Sequence, residues 1–389
     1  MDEYNGNNLR WTLTTITPLH IGTTDTIPRY GYIYDEEERR LHVLDLDKVA
    51  EHPSVDPEEL AEQMRAREFD IKAFLGQKGI ELKNVKLYSA HCCFAPRKGV
   101  RAFVKHLYQD PYVPGTTLKG AIRTALLWKM ARDNPDIWKF IERYLTAVAY
   151  SKKLTERLRS QRNGSNYVAQ RIEQLPQAFG PEPHFDLLRV LHVTDSEHLG
   201  ANELHIIQVD VYKEQNGSLE KDGRLSPLLV EAIPPCIHLH VGIKEDDFLF
   251  SGQAEEELKF LCKRRYVDLD QDFLTACNEF ACWLLNQEGS FYSGVGFKET
   301  ADWCLERAKE AENLSNACLL PIGWGTGWRA KTIGRKVQTD LPKTFEQLYY
   351  QYGLGKRRGG NADVSFPVSR RVTDVCGRPL PIGWVKLSC

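Results

Sequence analysis

Residues 114–124 combine a turn with side chains of the kind that bind phosphate. The segment reads PGTTLKGAIRT, and apolar residues recur at helical spacing after its Pro-Gly turn. The start of a helix presents unpaired backbone N–H groups and a positive dipole, both of which favour an anion. The side chains that would add hydroxyl donors or positive charge here are Thr116, Thr117, Lys119 and Arg123. The pattern indicates a phosphate-binding turn, and an ordinary capped helix with a surface lysine fits the same residues equally well.

A glycine-rich loop at residues 323–332 is the second candidate site. It reads GWGTGWRAKT and places glycines, indole rings, hydroxyls and cations side by side. Single-stranded RNA is commonly held by aromatic rings that stack on bases and by cations and backbone N–H groups that meet phosphates. The residues that we predict to bind RNA in this loop are Gly323, Gly325, Thr326, Gly327, Trp328 and Lys331. Trp324 would line or support the RNA path, and the alternative is a turn whose tryptophans belong to the core.

Three groups of side chains could carry catalysis or hold a metal. His20 follows Pro18 in a predicted turn, where it could act as a general base in metal-free RNA cleavage, although a single histidine in a turn is more often structural. Asp195 and nearby acids could hold Mg²⁺, but their spacing matches no motif for it. His238 and His240 share one face of a predicted strand without an evident third metal ligand. We therefore predict no catalytic residue, no metal site and no cofactor, and we place His20 among the RNA-binding residues.

The composition is that of a globular chain with local concentrations of positive charge. At 389 residues, with 42% apolar and 27% charged residues, the chain falls in the two-domain range and should bury a core. The formal net charge of −2 argues against a stand-alone nucleic-acid binder, because phosphate binding usually requires a basic excess. The basic residues nevertheless gather in runs that could form a basic groove, at 97–101, 152–162, 263–265, 329–336, 356–358 and 370–371.

Other features argue against zinc-binding, nucleotide-loop and membrane classes. The ten cysteines include no C-x-x-C pair, and the glycine-rich loop has neither the P-loop nor the dinucleotide-binding spacing. No stretch approaches the roughly 18–20 apolar residues that span a bilayer. The N-terminus is acidic and polar. We expect a cytoplasmic protein without membrane contact.

The elements that would position these residues alternate without a regular strand–helix rhythm. Strand patterns occur at 9–16, 85–94, 185–196, 203–214, 236–245 and 380–388. Helical patterns occur after Pro57, after the Pro-Gly turn, and at 135–175, 254–285, 298–312 and 343–352. A Pro-Pro break at 234–235 separates two predicted domains. The interleaving favours an α+β fold over a doubly wound sheet.

Residues 114–124 closely resemble the segment P-G-[ST]-[ST]-hydrophobic-K-G-hydrophobic-hydrophobic-R of the repeat-associated mysterious proteins, the RAMP superfamily of type III CRISPR systems. Three further segments are similar to that superfamily in order and spacing: TITPLHIG at 15–22, VTDS at 193–196 and the glycine-rich stretch at 323–334. Within the superfamily, the chain most resembles the type III-A subunit that caps the guide-RNA 3′ end, which is the head subunit of the Csm complex. This resemblance rests on the chain length, on GTGW at 325–328 and on LPIGWVKL at 380–387.

The resemblance implies two ferredoxin-like, RRM-like domains. We place them at residues 1–233, with a helical insertion around 130–180, and at 234–389, with the glycine-rich loop. It also implies an RNA-binding subunit that contacts the 3′ region of CRISPR RNA (crRNA), caps the backbone filament, and supports crRNA maturation and antiviral defence. The implied partners are crRNA, target RNA, the neighbouring RAMP backbone subunit, the small helical subunit of the complex and host ribonucleases.

The resemblance further implies that this subunit is not an enzyme. In such complexes a loop aspartate of the repeated backbone subunit cuts target RNA. Superfamily members that cut guide RNA use a histidine near the position of His20, so one alternative is a ribonuclease, either metal-free through His20 or metal-dependent through Asp195. A purely structural cap, held by protein contacts through exposed apolar surface, is the other alternative.

Overall fold

The structure is a computed structural model that describes residues 9–66, 69–151, 156, 186–215, 217–222, 227–258, 269–352, 366–367 and 369–389. The predicted helical insertion lies outside the described residues beyond residue 151, apart from residue 156. The basic runs at 263–265 and 356–358 also lie outside them. Both candidate sites fall within the described residues.

The strands are, in chain order, β1 (Leu9–Thr15), β2 (Gly22–Ile27), β3 (Tyr32–Asp35), β4 (Arg40–Leu44), β5 (Lys86–His91), β6 (Val100–Phe103), β7 (Leu191–Val193), β8 (His205–Gln215), β9 (Ser218–Lys221), β10 (Leu228–Ala232), β11 (His238–Glu245), β12 (Ala317–Pro321), β13 (Ser369–Val375), β14 (Arg378–Pro381) and β15 (Trp384–Ser388).

The helices are α1 (Leu46–Ala50), α2 (Pro57–Arg65), α3 (Ile71–Gln77), α4 (Leu82–Val85), α5 (Gly115–Asp133), α6 (Pro135–Tyr150), α7 (Gly252–Leu258), α8 (Leu269–Gly294), α9 (Lys298–Asn313), α10 (Trp328–Lys331), α11 (Gly334–Asp340) and α12 (Pro342–Tyr352). Within the described ranges, none of these helices combines the length and the apolar character needed to cross a membrane.

A five-stranded antiparallel sheet positions both candidate segments. Its strand order is β12–β15–β1–β11–β7. Side chains alternate along β1, so that Trp11 and Leu13 are buried whereas Arg10 is exposed and Thr12 is half-buried. Trp11 meets Phe273 of α8 with ring centroids 5.4 Å apart. One face of the sheet therefore packs against helices and the other carries polar side chains.

The strands of this sheet come from both predicted domains. β1, from the N-terminal segment, lies between β11 and β15 from the C-terminal segment. The two predicted domains, which meet between residues 233 and 234, therefore contribute strands to the same sheet. The division into these domains stays a prediction.

A larger mixed sheet has the strand order β2–β6–β10–β8–β5–β4–β3. β9 and β13 join it through β8, and β14 pairs with β13. β10 pairs with β6 and β8 pairs with β5 in parallel, whereas the other pairs are antiparallel. Two sheets with helices segregated around them make an α+β fold, so the predicted fold class is confirmed.

A small separate core lies under α2 and α3. Leu60 and Phe74 pack there with residues of β3 and β4. α2 begins at Pro57, as the sequence predicts, because the Asp56 carboxylate accepts from the N–H of Glu58 and Pro57 needs no partner at the first helical position. This part of the molecule is distinct from both candidate sites.

Candidate nucleic-acid interface

The predicted phosphate-binding turn forms the start of α5. The backbone N–H of Gly115 donates a hydrogen bond to Asp195 Oδ1 over 2.8 Å, and Pro114 before it provides no side-chain cap. A Cβ at Gly115 would lie 2.3 Å from the carbonyl oxygen of Val193, so only glycine allows the helix this close to the end of β7. The protein's own carboxylate therefore occupies part of the helix start that an external phosphate would use.

The two cations of this turn have oxygen partners within the protein. Lys119 Nζ donates to the carbonyl oxygen of Leu191 over 2.7 Å, and burial lowers the pKa of Lys119. Arg123 Nη1 lies 2.6 Å from Asp186 Oδ2. The hydroxyl side chains of Thr116 and Thr117 at this turn are at least partly exposed. These contacts fasten α5 to the region of β7, and phosphate binding by the four side chains stays a prediction.

The glycine-rich loop follows β12 and is fastened to the segment around His20. Gly323, Gly325 and Gly327 have φ values of 75°, 93° and 88°, in the left-handed region that favours glycine. The N–H of Trp324 donates to the carbonyl oxygen of His20 over 2.7 Å, and a Cβ at Gly323 would lie 2.5 Å from that oxygen. The structure thus brings together two predicted parts of the site, His20 and the loop.

The His20 side chain is buried beneath Trp324. It is 1% exposed, and the two ring centroids are 5.6 Å apart. Its Nδ1 donates to the carbonyl oxygen of Glu231 over 2.6 Å, which fixes the proton on that nitrogen because a carbonyl can only accept. Burial lowers the pKa of His20 to about 4, so the ring is neutral at neutral pH. Direct contact of His20 with RNA stays a prediction.

A buried carboxylate ties three strands together where His20 docks. Glu231 of β10 accepts from the hydroxyl of Tyr88 over 2.6 Å and from the N–H of Phe103 over 2.8 Å. It also pairs with Lys105. Burial and the neighbouring Glu231 charge raise the pKa of Tyr88 well above its usual value. Because the buried charge has a cation and two further donors, it holds β5, β6 and β10 in a fixed arrangement.

Two guanidinium groups lie over the indole ring of Trp324. The Cζ atoms of Arg101 and Arg371 are 4.9 Å and 5.0 Å from the ring centroid. Arg101 is exposed and Arg371 half-buried, and within the described part of the chain neither has a carboxylate within 4.0 Å. Burial and the charge of Arg101 lower the pKa of Arg371. We call Arg101, Trp324 and Arg371 the guanidinium–tryptophan cluster, and it offers phosphate two cations next to an aromatic surface.

The rest of the loop packs partly against the protein. The ring of Trp328 has its centroid 5.9 Å from that of Phe345 and 4.9 Å from that of Phe366. The hydroxyl of Thr326 donates to a carbonyl oxygen of the same loop over 3.3 Å. Lys331 is exposed at the end of α10. Both tryptophans therefore make intramolecular aromatic contacts while remaining partly accessible, and RNA binding by the loop residues stays a prediction.

An ion triad of two buried arginines and a half-buried carboxylate lies behind the loop. Arg329 Nη1 is 2.8 Å from Glu288 Oε1, and Arg370 Nε is 2.6 Å from Glu288 Oε2. Although burial opposes it, the charges of Arg370 and Arg329 lower the pKa of Glu288. Burial lowers the pKa of Arg329 to about 10. One carboxylate of α8 thus holds both the loop and β13.

The two candidate segments start from the two edge strands of the five-stranded sheet. The start of α5 abuts β7, and the glycine-rich loop follows β12. The loop then turns towards the middle of the sheet, because the N–H of Trp324 bonds to the carbonyl oxygen of His20, which follows the central strand β1. The helix that carries the predicted phosphate-binding turn, α5, also contacts α10 at the end of the loop.

The side chains considered for catalysis are not gathered into a metal site. Over the described residues, His, Cys, Asp and Glu side chains converge at metal-ligand spacing at Asp35, Glu38 and His42. That group contains neither Asp195 nor His238. Acidic groups at the surface commonly cluster without an ion, so this group carries no metal assignment.

Sequence reasoning missed several members of the site. Arg101 and Arg371 belong to recognised basic runs, but their shared contact depends on strand pairing between distant segments. Glu231 and Glu288 follow no motif, because a carboxylate in a strand or helix looks like a surface residue until its burial or its partners are known. The roles of these residues can be recognised only from the three-dimensional structure.

Comparison with known proteins identifies the family. A family model described as the RAMP superfamily matches residues 12–330. A chain in the cryo-EM structure of a Csm–crRNA–target RNA ternary complex of a type III-A CRISPR-Cas system is 25% identical, with a TM-score of 0.69 over 97% of this chain and 99% of that chain. The crystal structure of T. onnurineus Csm5 is 22% identical, with a TM-score of 0.59 over 96% of this chain and 99% of that chain. No curated protein sequence matches. The match over most of its length means that this chain belongs to the RAMP superfamily, whose ferredoxin-like domains its α+β fold fits.

Proposed function

We propose that this chain is a non-catalytic, RNA-binding subunit of a type III-A CRISPR Csm complex. Its RAMP membership and its similarity to a chain of a Csm–crRNA–target RNA complex support this assignment. The chain would contact the 3′ region of crRNA, cap the backbone filament, and support crRNA maturation and antiviral defence in the cytoplasm. Its partners would be crRNA, target RNA, the neighbouring RAMP backbone subunit and the small helical subunit.

The guanidinium–tryptophan cluster is the observation that carries this proposal. Two arginines, Arg101 and Arg371, have their guanidinium Cζ atoms 4.9 Å and 5.0 Å from the ring centroid of Trp324. Among the described residues, neither has a carboxylate partner. The charge of Arg101 contributes to the lowered pKa of Arg371, so the two like charges repel each other, and an RNA phosphate beside them relieves that repulsion. The adjacent loop adds glycine backbone that RNA can approach closely. Such a cluster recognises RNA through its backbone and its base faces rather than through its sequence.

The overall charge fits a subunit that shares its RNA with neighbours. A net charge of −2 gives little long-range attraction for a polyanion, so binding must come from local clusters. In an assembled complex, adjoining subunits would contribute further contacts to the same strand. The proposed position of this subunit at the 3′ end of crRNA rests on the resemblance of residues 325–328 and 380–387 to the head subunit. Host ribonucleases would trim the guide RNA.

The non-catalytic part of the proposal is supported by the surroundings of the two candidate catalytic residues. His20 is buried, neutral at neutral pH and bonded to a backbone carbonyl. A general base must reach the proton that it removes, and His20 lies under an indole ring. Asp195 accepts from the helix start at Gly115. Both side chains therefore have structural partners.

The decisive experiment is to assemble the complex with Arg101→Ala and Arg371→Ala together. We expect less crRNA in the purified complex and a weaker salt dependence of crRNA binding, with the log–log slope reduced by about 0.7 for each lost phosphate contact. Arg65→Ala is the matched control, because Arg65 is an exposed arginine at the end of α2. Normal guide content and an unchanged slope in the double variant would contradict the assignment of RNA binding to this cluster.

A further inference from the structure

A cavity lies behind the glycine-rich loop, between α8, α10 and β13. Its volume is about 330 Å³. Small-molecule pockets span roughly 300–1,000 Å³, so this cavity has room for one small ligand rather than for a nucleic-acid strand. Residues 325–329 of the loop form one side of it. The cavity therefore adjoins the proposed RNA surface and shares loop residues with it.

The charged lining of the cavity carries more positive than negative charge. Among the described residues, Arg329, Arg370 and Arg371 line it together with one carboxylate, that of Glu288. Arg329 is only 6% exposed, and its Nε has no hydrogen-bond partner among the residues that the structure describes. The Nε of Arg371 is also buried, and the same part of the chain offers it no partner. Buried donors without acceptors are costly, and an anionic ligand that accepts from them removes this cost.

Another part of the lining is aromatic. Trp328, Tyr349 and Phe366 border the cavity, and the Phe366 ring centroid lies 4.9 Å from that of Trp328 and 5.4 Å from that of Tyr349. Aromatic surfaces of this kind take planar rings, including nucleobases. A ligand that satisfies both walls must combine an anionic group with a planar ring, and a nucleotide has both.

Arg371 connects this cavity to the guanidinium–tryptophan cluster. It lines the cavity, and its guanidinium Cζ is 5.0 Å from the ring centroid of Trp324. A strand bound at the cluster would therefore pass beside a residue of the cavity lining. Gly327 also borders the cavity, and the space where its Cβ would be is open.

We propose that this cavity binds one nucleotide of the bound RNA, with its base against the aromatic wall and its phosphate on the arginines. The choice of RNA as the source rests on the proposed function, whereas the nucleotide chemistry rests on the cavity lining alone. A free mononucleotide offers the same chemistry and is the competing source. Insertion would leave one base unstacked from its neighbours at this subunit.

Photo-cross-linking of the intact complex tests the proposal. RNA carrying a single 4-thiouridine, moved through each position in turn, is irradiated and the cross-linked peptide is sequenced. We expect one position to label the peptide that contains Trp328 or Phe366. In parallel, 8-azido-AMP without RNA tests for a free nucleotide in the same cavity. These wild-type measurements need no variant and remain informative if a substitution disturbs folding.

A substitution that fills the cavity provides the specificity control. Cys304 lines the cavity and is 1% exposed, so Cys304→Phe would place a ring inside it. We expect the cross-link yield to fall by about tenfold, comparable to the loss of one stacked base. Cys389→Phe adds the same ring at an exposed C-terminal residue outside the cavity and should leave the yield unchanged.

The outcomes separate this inference from the proposed function. If the complex retains RNA normally but no label position reaches the cavity peptides, the inference is overturned and the proposed function stands. If 8-azido-AMP labels the cavity peptides but no 4-thiouridine position in the bound RNA does, RNA is not the source of the nucleotide in the cavity. If the complex retains no RNA, the proposed function fails, and 8-azido-AMP then decides whether the cavity is a nucleotide site.

Discussion

The carboxylate of Asp195 and the backbone N–H of Gly115 are joined by a hydrogen bond of 2.8 Å across 80 residues of the chain. The bond caps α5, whose preceding residue supplies no side-chain acceptor. A negative charge at this end of the helix also interacts favourably with its dipole. Asp195 therefore stabilises the turn that the sequence marks as a phosphate site, and this role differs from that of a metal ligand.

Replacing Asp195 tests which role it has. We expect Asp195→Ala to lower the free energy of unfolding by about 1 kcal/mol, the usual cost of losing a helix cap, and Asp195→Asn to cost less because it keeps an acceptor. Chemical denaturation measures both. RNA cleavage assayed with Mg²⁺ should not change. A loss of Mg²⁺-dependent cleavage without a change in stability would favour the metal-dependent ribonuclease.

Two glycines of α5 should respond to alanine with opposite signs. At Gly115 a Cβ would lie 2.3 Å from a backbone oxygen of β7, so we expect Gly115→Ala to destabilise the protein by about 1–3 kcal/mol. At Gly120 no atom lies within 4 Å of the added Cβ, so Gly120→Ala should stabilise it by about 0.5–1 kcal/mol. Thermal or denaturant unfolding of the matched pair checks this. Equal effects at the two positions would contradict the close approach at Gly115.

Lys119 and Arg123 are expected to bind phosphate while they hold α5 in place. Lys119 has three donors, of which the Leu191 carbonyl takes one. We expect Lys119→Ala with Arg123→Ala to reduce the log–log salt slope of RNA binding by about 1.4, since each contact to single-stranded RNA accounts for about 0.7. Lys139→Ala with Arg143→Ala is the control, because these exposed cations have the same spacing on α6.

The salt slope separates a binding role from a purely structural one. If the Lys119 and Arg123 variant unfolds more easily but binds RNA with an unchanged slope, the two cations only fasten α5 to its neighbours. The turn would then be a structural element of the fold, and the guanidinium–tryptophan cluster would be the better candidate for phosphate contact.

The sequence predicts what depends on local pattern. The α+β class, the start of α5 after the Pro-Gly turn, and β11 from its period-two alternation are all confirmed. The cap from Asp195 and the triad around Glu288 could not be predicted, because each joins residues far apart in the chain. Burial of His20 and Glu231 is also invisible locally, since it depends on where the glycine-rich loop and β10 pack.

Glu288 should be needed for folding because it neutralises two buried cations. Glu288→Gln would leave Arg329 and Arg370 without a carboxylate, and breaking a buried pair costs about 3–5 kcal/mol. We expect a loss of this order in denaturant unfolding. Glu310→Gln is the matched control, because Glu310 also contacts two cations but these are about one-third exposed, so the loss there should be at most about 1 kcal/mol.

The neutral, buried state of His20 predicts a specific dependence of stability on pH. Its pKa is about 4 in the folded protein and 6.5 when exposed. Between these values the unfolded chain binds a proton that the folded protein does not, so stability falls as the pH is lowered from about 6.5 to about 4. Above that window His20 is neutral in both states and makes no pH-dependent contribution. The slope expected from this one group is about 1.4 kcal/mol per pH unit.

His20→Asn isolates this contribution. Asparagine does not titrate, and its amide nitrogen can reach the Glu231 carbonyl that accepts from Nδ1. We expect the free energies of unfolding of the wild type and the variant to have parallel pH dependence above pH 6.5 and to diverge below it, with the wild type losing stability faster. Urea denaturation across this range, with both proteins in the same buffers, gives the difference directly. Parallel curves down to pH 4 would mean that His20 has the same pKa in the folded protein as in the unfolded chain, and a general-base role for it would become tenable again.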